Sequence, residues 1–158
     1  MYETGGVVKT DYKNKYNNGM LCLSTPIDLK IAETIDCSLV RLYLDFIEPY
    51  FFSYEFYERF GYFPFDDREH GLFGVLDSYR DITGIEDNVK IFLLLQNISS
   101  GAYAYRGHLL CFCGSNCKTR DCHLEIKRLF LDEGVLRQAI QDYKTMENEI
   151  NEYQRKTK

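Results

Sequence analysis

The sequence predicts an α+β fold that is mainly helical and ends in a small Cys/His-rich knuckle and a C-terminal helix. Three observations predict it. Apolar residues recur at steps of three and four through most of the chain after about residue 31. A short apolar run, Met20-Leu21-Cys22-Leu23, is bounded by polar, turn-forming residues and reads as a strand. Cys and His crowd into residues 111–123, a stretch with almost no apolar residues to fold with.

Composition bounds the class. At 158 residues the chain is one domain by length, with room for a real core. It is 45% hydrophobic and 15% aromatic, with 13 Tyr, 11 Phe and no Trp, which marks a folded chain. A net charge of −5 argues against bulk affinity for nucleic acid or an anionic membrane. The N-terminus, Met-Tyr-Glu-Thr-Gly-Gly, is no signal peptide, and no apolar run reaches membrane-spanning length. Clustered cysteines without a secretory signal place the chain in the reducing cytosol.

The elements follow in order. Residues 1–30 are polar and turn-rich around the strand candidate, and Pro26 and Asp28 mark a turn or the approach to a helix. Residues 31–60 read as helical, with Leu39, Leu42, Tyr43 and Phe46 at helical spacing; Cys37 lies in this stretch as a core residue. Pro49 should break or kink the run, and Gly61 should stop it. The aromatic segment Tyr50–Tyr57 reads as a buried core helix rather than an exposed partner surface. After a loop at 62–70, one helix carries Leu72, Val75, Leu76 and Tyr79 and ends at Gly84. Another runs from about Asp87 to Ser100, with Val89, Phe92, Leu93 and Leu95. Beyond the knuckle, Leu124–Leu131 is a short helix, Asp132-Glu133-Gly134 interrupts, and Val135–Arg155 is a longer one. In that last helix Leu136, Ile140, Tyr143, Met146, Ile150 and Tyr153 form a seam. The domain plan is a body at 1–105, the knuckle at 106–125 and a helical segment at 126–158.

The chemistry is concentrated in Cys-Phe-Cys-Gly-Ser-Asn-Cys-Lys-Thr-Arg-Asp-Cys-His, residues 111–123. Cys111, Cys113, Cys122 and His123 form two tight pairs of soft or borderline donors, a set that suits Zn²⁺ in a closed tetrahedral site. Four protein ligands leave no open coordination position, so the site is structural rather than hydrolytic. Gly114 permits the bend that turns backbone N–H groups towards the sulfurs. Three thiolates outweigh the charge of one divalent ion, and Lys118 and Arg120 are the expected counter-charges. Binding energies of about 10–16 kcal/mol in small zinc peptides are enough to fold such a segment. Cys117 reads as a bystander thiol.

The spacing resembles the SEC-C zinc motif, best known from the C-terminal tail of the bacterial preprotein-translocase ATPase and appended to many other bacterial proteins. Cys111, Cys113, Gly114, Ser115, Lys118, Cys122 and His123 fall in its register. The departures are Asn116, where a glycine is usual, and the extra Cys117.

A second resemblance covers about residues 12–125. Tyr-Lys-Asn-Lys-Tyr-Asn-Asn-Gly-Met-Leu-Cys-Leu, residues 12–23, resembles the active-site approach of ubiquitin-conjugating enzymes. Pro26, Tyr54 to Glu58, Pro64-Phe65, His70-Gly71 and Arg106-Gly107-His108 resemble later landmarks of prokaryotic ubiquitin-conjugating-like proteins. The resemblance implies a partial ubiquitin-conjugating-like body, with Cys22 as thioester-forming nucleophile and Asn14 as oxyanion donor. It also implies a ubiquitin-like modifier, an activating enzyme or a target as protein partner. Tyr12 and Lys13 replace the family's His-Pro, and only 11 residues precede Tyr12, so the sheet of that fold would be incomplete.

Two functions follow: acyl transfer through Cys22, or a non-catalytic zinc-binding adaptor for a protein partner. Nucleic-acid binding through Lys118, Arg120, Lys127 and Arg128 ranks below both on an acidic chain.

Overall fold

The computed structural model describes residues 14, 20–65, 70–101 and 107–157. In chain order the helices are α1 (Pro26–Ile35), α2 (Leu39–Leu42), α3 (Glu48–Phe60), α4 (Leu72–Thr83), α5 (Asn88–Ser99), α6 (Leu124–Leu129) and α7 (Glu133–Lys156). A π-helical turn, Tyr43–Ile47, joins α2 to α3, and a 3₁₀ turn, Thr119–Asp121, precedes α6.

Among the described residues there is no strand and no sheet, so the fold is all-α. This corrects the α+β expectation and with it the partial ubiquitin-conjugating-like body. Met20–Leu23 has no neighbouring strand among the described residues with which to satisfy a ladder. Leu21 and Leu23 are half-buried against Tyr50 of a helix instead, and Met20 is exposed. Tyr12, Lys13 and Arg106 lie outside the described residues.

The chain forms two compact units, one from residues 1–25 and 36–67 and the other from 26–35 and 68–158. In the first, α2, the π-helical turn and α3 follow without a break. Pro49 does not break the run, although the residues just before it, Ile47 and Glu48, are themselves helical. The π-helical turn just before it takes up the local mismatch. Gly61 ends α3 as expected, with φ 77° and its N–H donating to the Tyr57 carbonyl at 2.8 Å. The aromatic run is less buried than a core helix. Within Tyr50–Tyr57, Tyr50 is only 6% exposed, Phe51, Phe52, Tyr54 and Phe56 are half-buried, and Tyr57 is exposed; beyond the segment, Phe60, Tyr62 and Phe65 are each more than half exposed. Cys37 lies between α1 and α2 and is exposed, not core.

The second unit holds the main core. α5 and α1 both pack on α7, and α4 packs on α5 and α1. Ile27, Tyr79, Ile91, Leu95, Val135 and Ala139 are fully hidden there. The buried stripe of α5 is Ile91, Leu94, Leu95 and Ile98, a regular three-four spacing. Val89 and Leu93 of the same helix are exposed. α7 begins two residues earlier than the Asp-Glu-Gly interruption suggested, because the Asp132 side chain is its N-cap. That carboxylate accepts from the Gly134 and Val135 N–H groups at 2.8 and 3.0 Å. Tyr143 and Met146 bury the front of the α7 seam, whereas Tyr153 near its end is exposed.

One polar network is sealed into this core. The Tyr79 hydroxyl donates to Asp142 Oδ2 at 2.8 Å, and the Gln138 amide donates to Asp142 Oδ1 at 2.8 Å. Burial pushes the Asp142 carboxyl above its ordinary range; the two hydrogen bonds oppose that rise and the nearby Asp28 adds to it.

Candidate metal centre

The knuckle is built on the second unit as a pinched loop. Its two arms meet at an antiparallel bridge between Leu110 and Lys118. The Cys111 N–H donates to the Cys117 carbonyl at 2.8 Å, and the Thr119 N–H donates to Leu109 at 2.9 Å. Thr119, itself buried, adds a hydroxyl bond to the Leu109 carbonyl at 3.1 Å. A tight turn between the arms closes with the Gly114 N–H on the Cys111 carbonyl at 3.2 Å. The 3₁₀ turn then swings the chain back, and the His123 N–H donates to the Thr119 carbonyl at 3.0 Å. These bonds bring both donor pairs to one place without any help from an apolar core of their own.

Two residues make the turn possible. Gly114 has φ +80°, the left-handed region that glycine enters without penalty. Asn116 also has a positive φ, 61°. Asparagine is the side chain that best tolerates this conformation after glycine, so it fits the turn.

The donor atoms of Cys111, Cys113, Cys122 and His123 all lie within 4.8 Å of one another. Cys113 Sγ and Cys122 Sγ are 3.6 Å apart. His123 Nδ1 stands 3.1 Å from Cys111 Sγ and 3.0 Å from Cys122 Sγ. A tetrahedral zinc site with ordinary bond lengths has S···S edges of about 3.8 Å and S···N edges of about 3.5 Å. The thiol edge matches, and the imidazole needs to open by roughly half an ångström. Donor chemistry and spacing therefore fit a closed metal site. Nδ1 is the nitrogen that faces the sulfurs, which leaves Nε2 for an outer partner. Cys117 is outside this group; its thiol is directed at the Ser115 carbonyl, 3.7 Å away.

The four donors differ in setting. Cys111 is buried at the base of the knuckle, beside Phe112 and Cys113, which pack on the main core. Burial pushes its thiol up to about 12. The Cys113 thiol is lowered to about 6: burial opposes the change, and hydrogen bonds from Ser115, Cys111 and Cys122 outweigh it. The Ser115 hydroxyl also lies 3.4 Å from Cys122 Sγ. Burial makes a thiolate at Cys111 costly, and a divalent ion held there would lower that cost.

Two outer contacts refine the expected electrostatics. Arg120 pairs with Asp121 at 3.5 Å, so part of its charge is already answered. Lys90 of α5, distant in sequence from the knuckle, donates its ammonium to the Cys113 carbonyl at 3.2 Å. The one available signal was an anomaly of placement: a lysine in the first turn of a helix sits at the end of the dipole that disfavours it.

The other expected pair, Asn14 and Cys22, belongs to the first unit. They are adjacent, but the contact is between main chains: the Cys22 N–H donates to the Asn14 carbonyl at 3.0 Å. The Tyr50 hydroxyl donates to the same carbonyl at 3.0 Å. Cys22 and Asn14 line an open cleft of about 160 Å³ with Asp45, Phe46, Pro49 and Ser53. The acyl-transfer expectation placed Cys22 on the strand of a conjugating-enzyme sheet, and that sheet is absent among the described residues.

No family model, curated protein or solved structure matches the chain. No helix among the described residues is long and apolar enough to cross a membrane.

Proposed function

We propose that this chain is a zinc-binding, non-catalytic protein-interaction module, with its knuckle folded by a structural Zn²⁺ on Cys111, Cys113, Cys122 and His123. The observation that carries this reading is the convergence of three sulfurs and one ring nitrogen within 4.8 Å. Zn²⁺ is the first choice because a compact thiolate-rich set with one imidazole matches its preferred ligands and geometry. The ion would hold the two arms together, and no coordination position remains for substrate or water. An adaptor role is supported by the net charge of −5, which disfavours nucleic acid, and by the exposed aromatics Phe60, Tyr62 and Phe65.

Reduced, purified protein should carry close to one equivalent of zinc. Cys111→Ser and Cys122→Ser should each abolish it and remove hydrogen-exchange protection across residues 107–123. A metal-free wild type with unchanged protection there would refute the structural role. For the adaptor role, a photo-crosslinker at Phe65 should trap a partner in cells that the same group at Glu152 does not. Failure at Phe60, Tyr62 and Phe65 alike would count against an aromatic docking face.

A further inference from the structure

Lys90 joins two parts of the second unit that the sequence keeps far apart. Its backbone belongs to the first turn of α5, where the Asp87 carboxylate caps the helix by accepting from the Val89 and Lys90 N–H groups at 2.9 and 3.4 Å. A cation is disfavoured at that end of a helix. The side chain leaves the helix and reaches the knuckle, where Nζ donates to the Cys113 carbonyl at 3.2 Å. The next residue is fitted around it: a Cβ on Gly114 would stand 3.3 Å from Nζ. Gly114 thus serves both the left-handed turn and the approach of the ammonium.

Charge gives this contact a purpose. Three thiolates around one divalent ion leave a net negative centre, which a nearby cation stabilises. Arg120 is already engaged with Asp121. We infer that Lys90 is a positioning residue for the metal centre: it anchors the Cys113-Gly114 corner to α5 and adds a positive charge, beside that expected of Lys118, that helps retain the bound ion. This rests on the zinc reading above. Outer partners of metal ligands typically change affinity by about 10–100-fold, and an exposed ammonium belongs at or below the low end.

The test is the rate at which the zinc-loaded full-length chain gives up its ion to a chromogenic chelator. Lys90→Met and Lys90→Gln should release zinc about 3–10-fold faster than wild type at low salt. The gap should narrow as added salt shortens the screening length. Lys90→Arg should stay within about twofold of wild type, because it keeps the charge and can reach the carbonyl. Visible spectra of the Co²⁺-loaded chains should coincide, since the four ligands are untouched. Equal release by wild type and Lys90→Met at low salt would overturn the inference. So would a faster release that Arg does not rescue and salt does not alter, because that pattern belongs to packing and not to charge. Failure of the wild type to bind zinc at all is a different result, and it would remove the metal reading itself.

Discussion

At the scale of single residues, the candidate metal centre is a local group: Cys111, Cys113, Cys122 and His123 lie within thirteen residues and their donor atoms within 4.8 Å. Donor type and spacing between residues 111 and 123 identify the four groups, and a pinched loop is the short path that brings them together. The role of Lys90 was not legible, because only the packing of α5 against the knuckle brings it to Cys113. Asn116 offers a direct check on the loop. Asn116→Gly should keep zinc affinity, whereas Asn116→Ala should cost about 1–2 kcal/mol in the folded knuckle, read as roughly tenfold weaker zinc binding. Asp142 offers a check on the core. Its carboxyl is raised in the folded state, so the native chain holds a proton that the unfolded chain has already lost. Stability should therefore fall as pH rises from the ordinary carboxylate range through the folded value. Denaturant unfolding across that window should show a shallower fall for Asp142→Asn; parallel curves would mean that the group is not desolvated as described.

At the scale of elements, the long helices were readable and the fold class was not. Gly61 and Gly84 end their helices where left-handed caps were expected, because a stop signal depends on its own backbone conformation. The strand failed because a four-residue apolar run has the same pattern whether it pairs with a neighbour or packs on a helix. The buried face of α5 was not legible for a related reason: Val89, Phe92, Leu93 and the buried stripe are all apolar, so periodicity alone does not choose between them. The caps make a quantitative prediction. Asp132→Ala should cost about 1 kcal/mol through the loss of the carboxylate that accepts from two N–H groups at the start of α7. A chemical-denaturation midpoint unchanged from wild type would show that the cap bonds contribute nothing net.

At the scale of the whole molecule, the zinc proposal divides the stability of the knuckle-bearing unit between a helical core and an ion held by the knuckle. Leu95→Ala, at a fully hidden site between the helices, should cost about 2–5 kcal/mol. That loss should persist after chelation, because it belongs to the core. Chelation should by itself unprotect residues 107–123 first, while the amides of α5 and α7 hold longer, since the core of those helices does not need the ion. Simultaneous loss of protection in both regions would show that knuckle and core fold as one cooperative unit.

The most direct measurement is X-ray absorption at the zinc edge on reduced protein purified without added metal. One zinc per chain is predicted, with about three sulfurs near 2.3 Å and one nitrogen near 2.0–2.1 Å. Absence of zinc, or a shell of four sulfurs that recruits Cys117 in place of His123, would contradict the assignment.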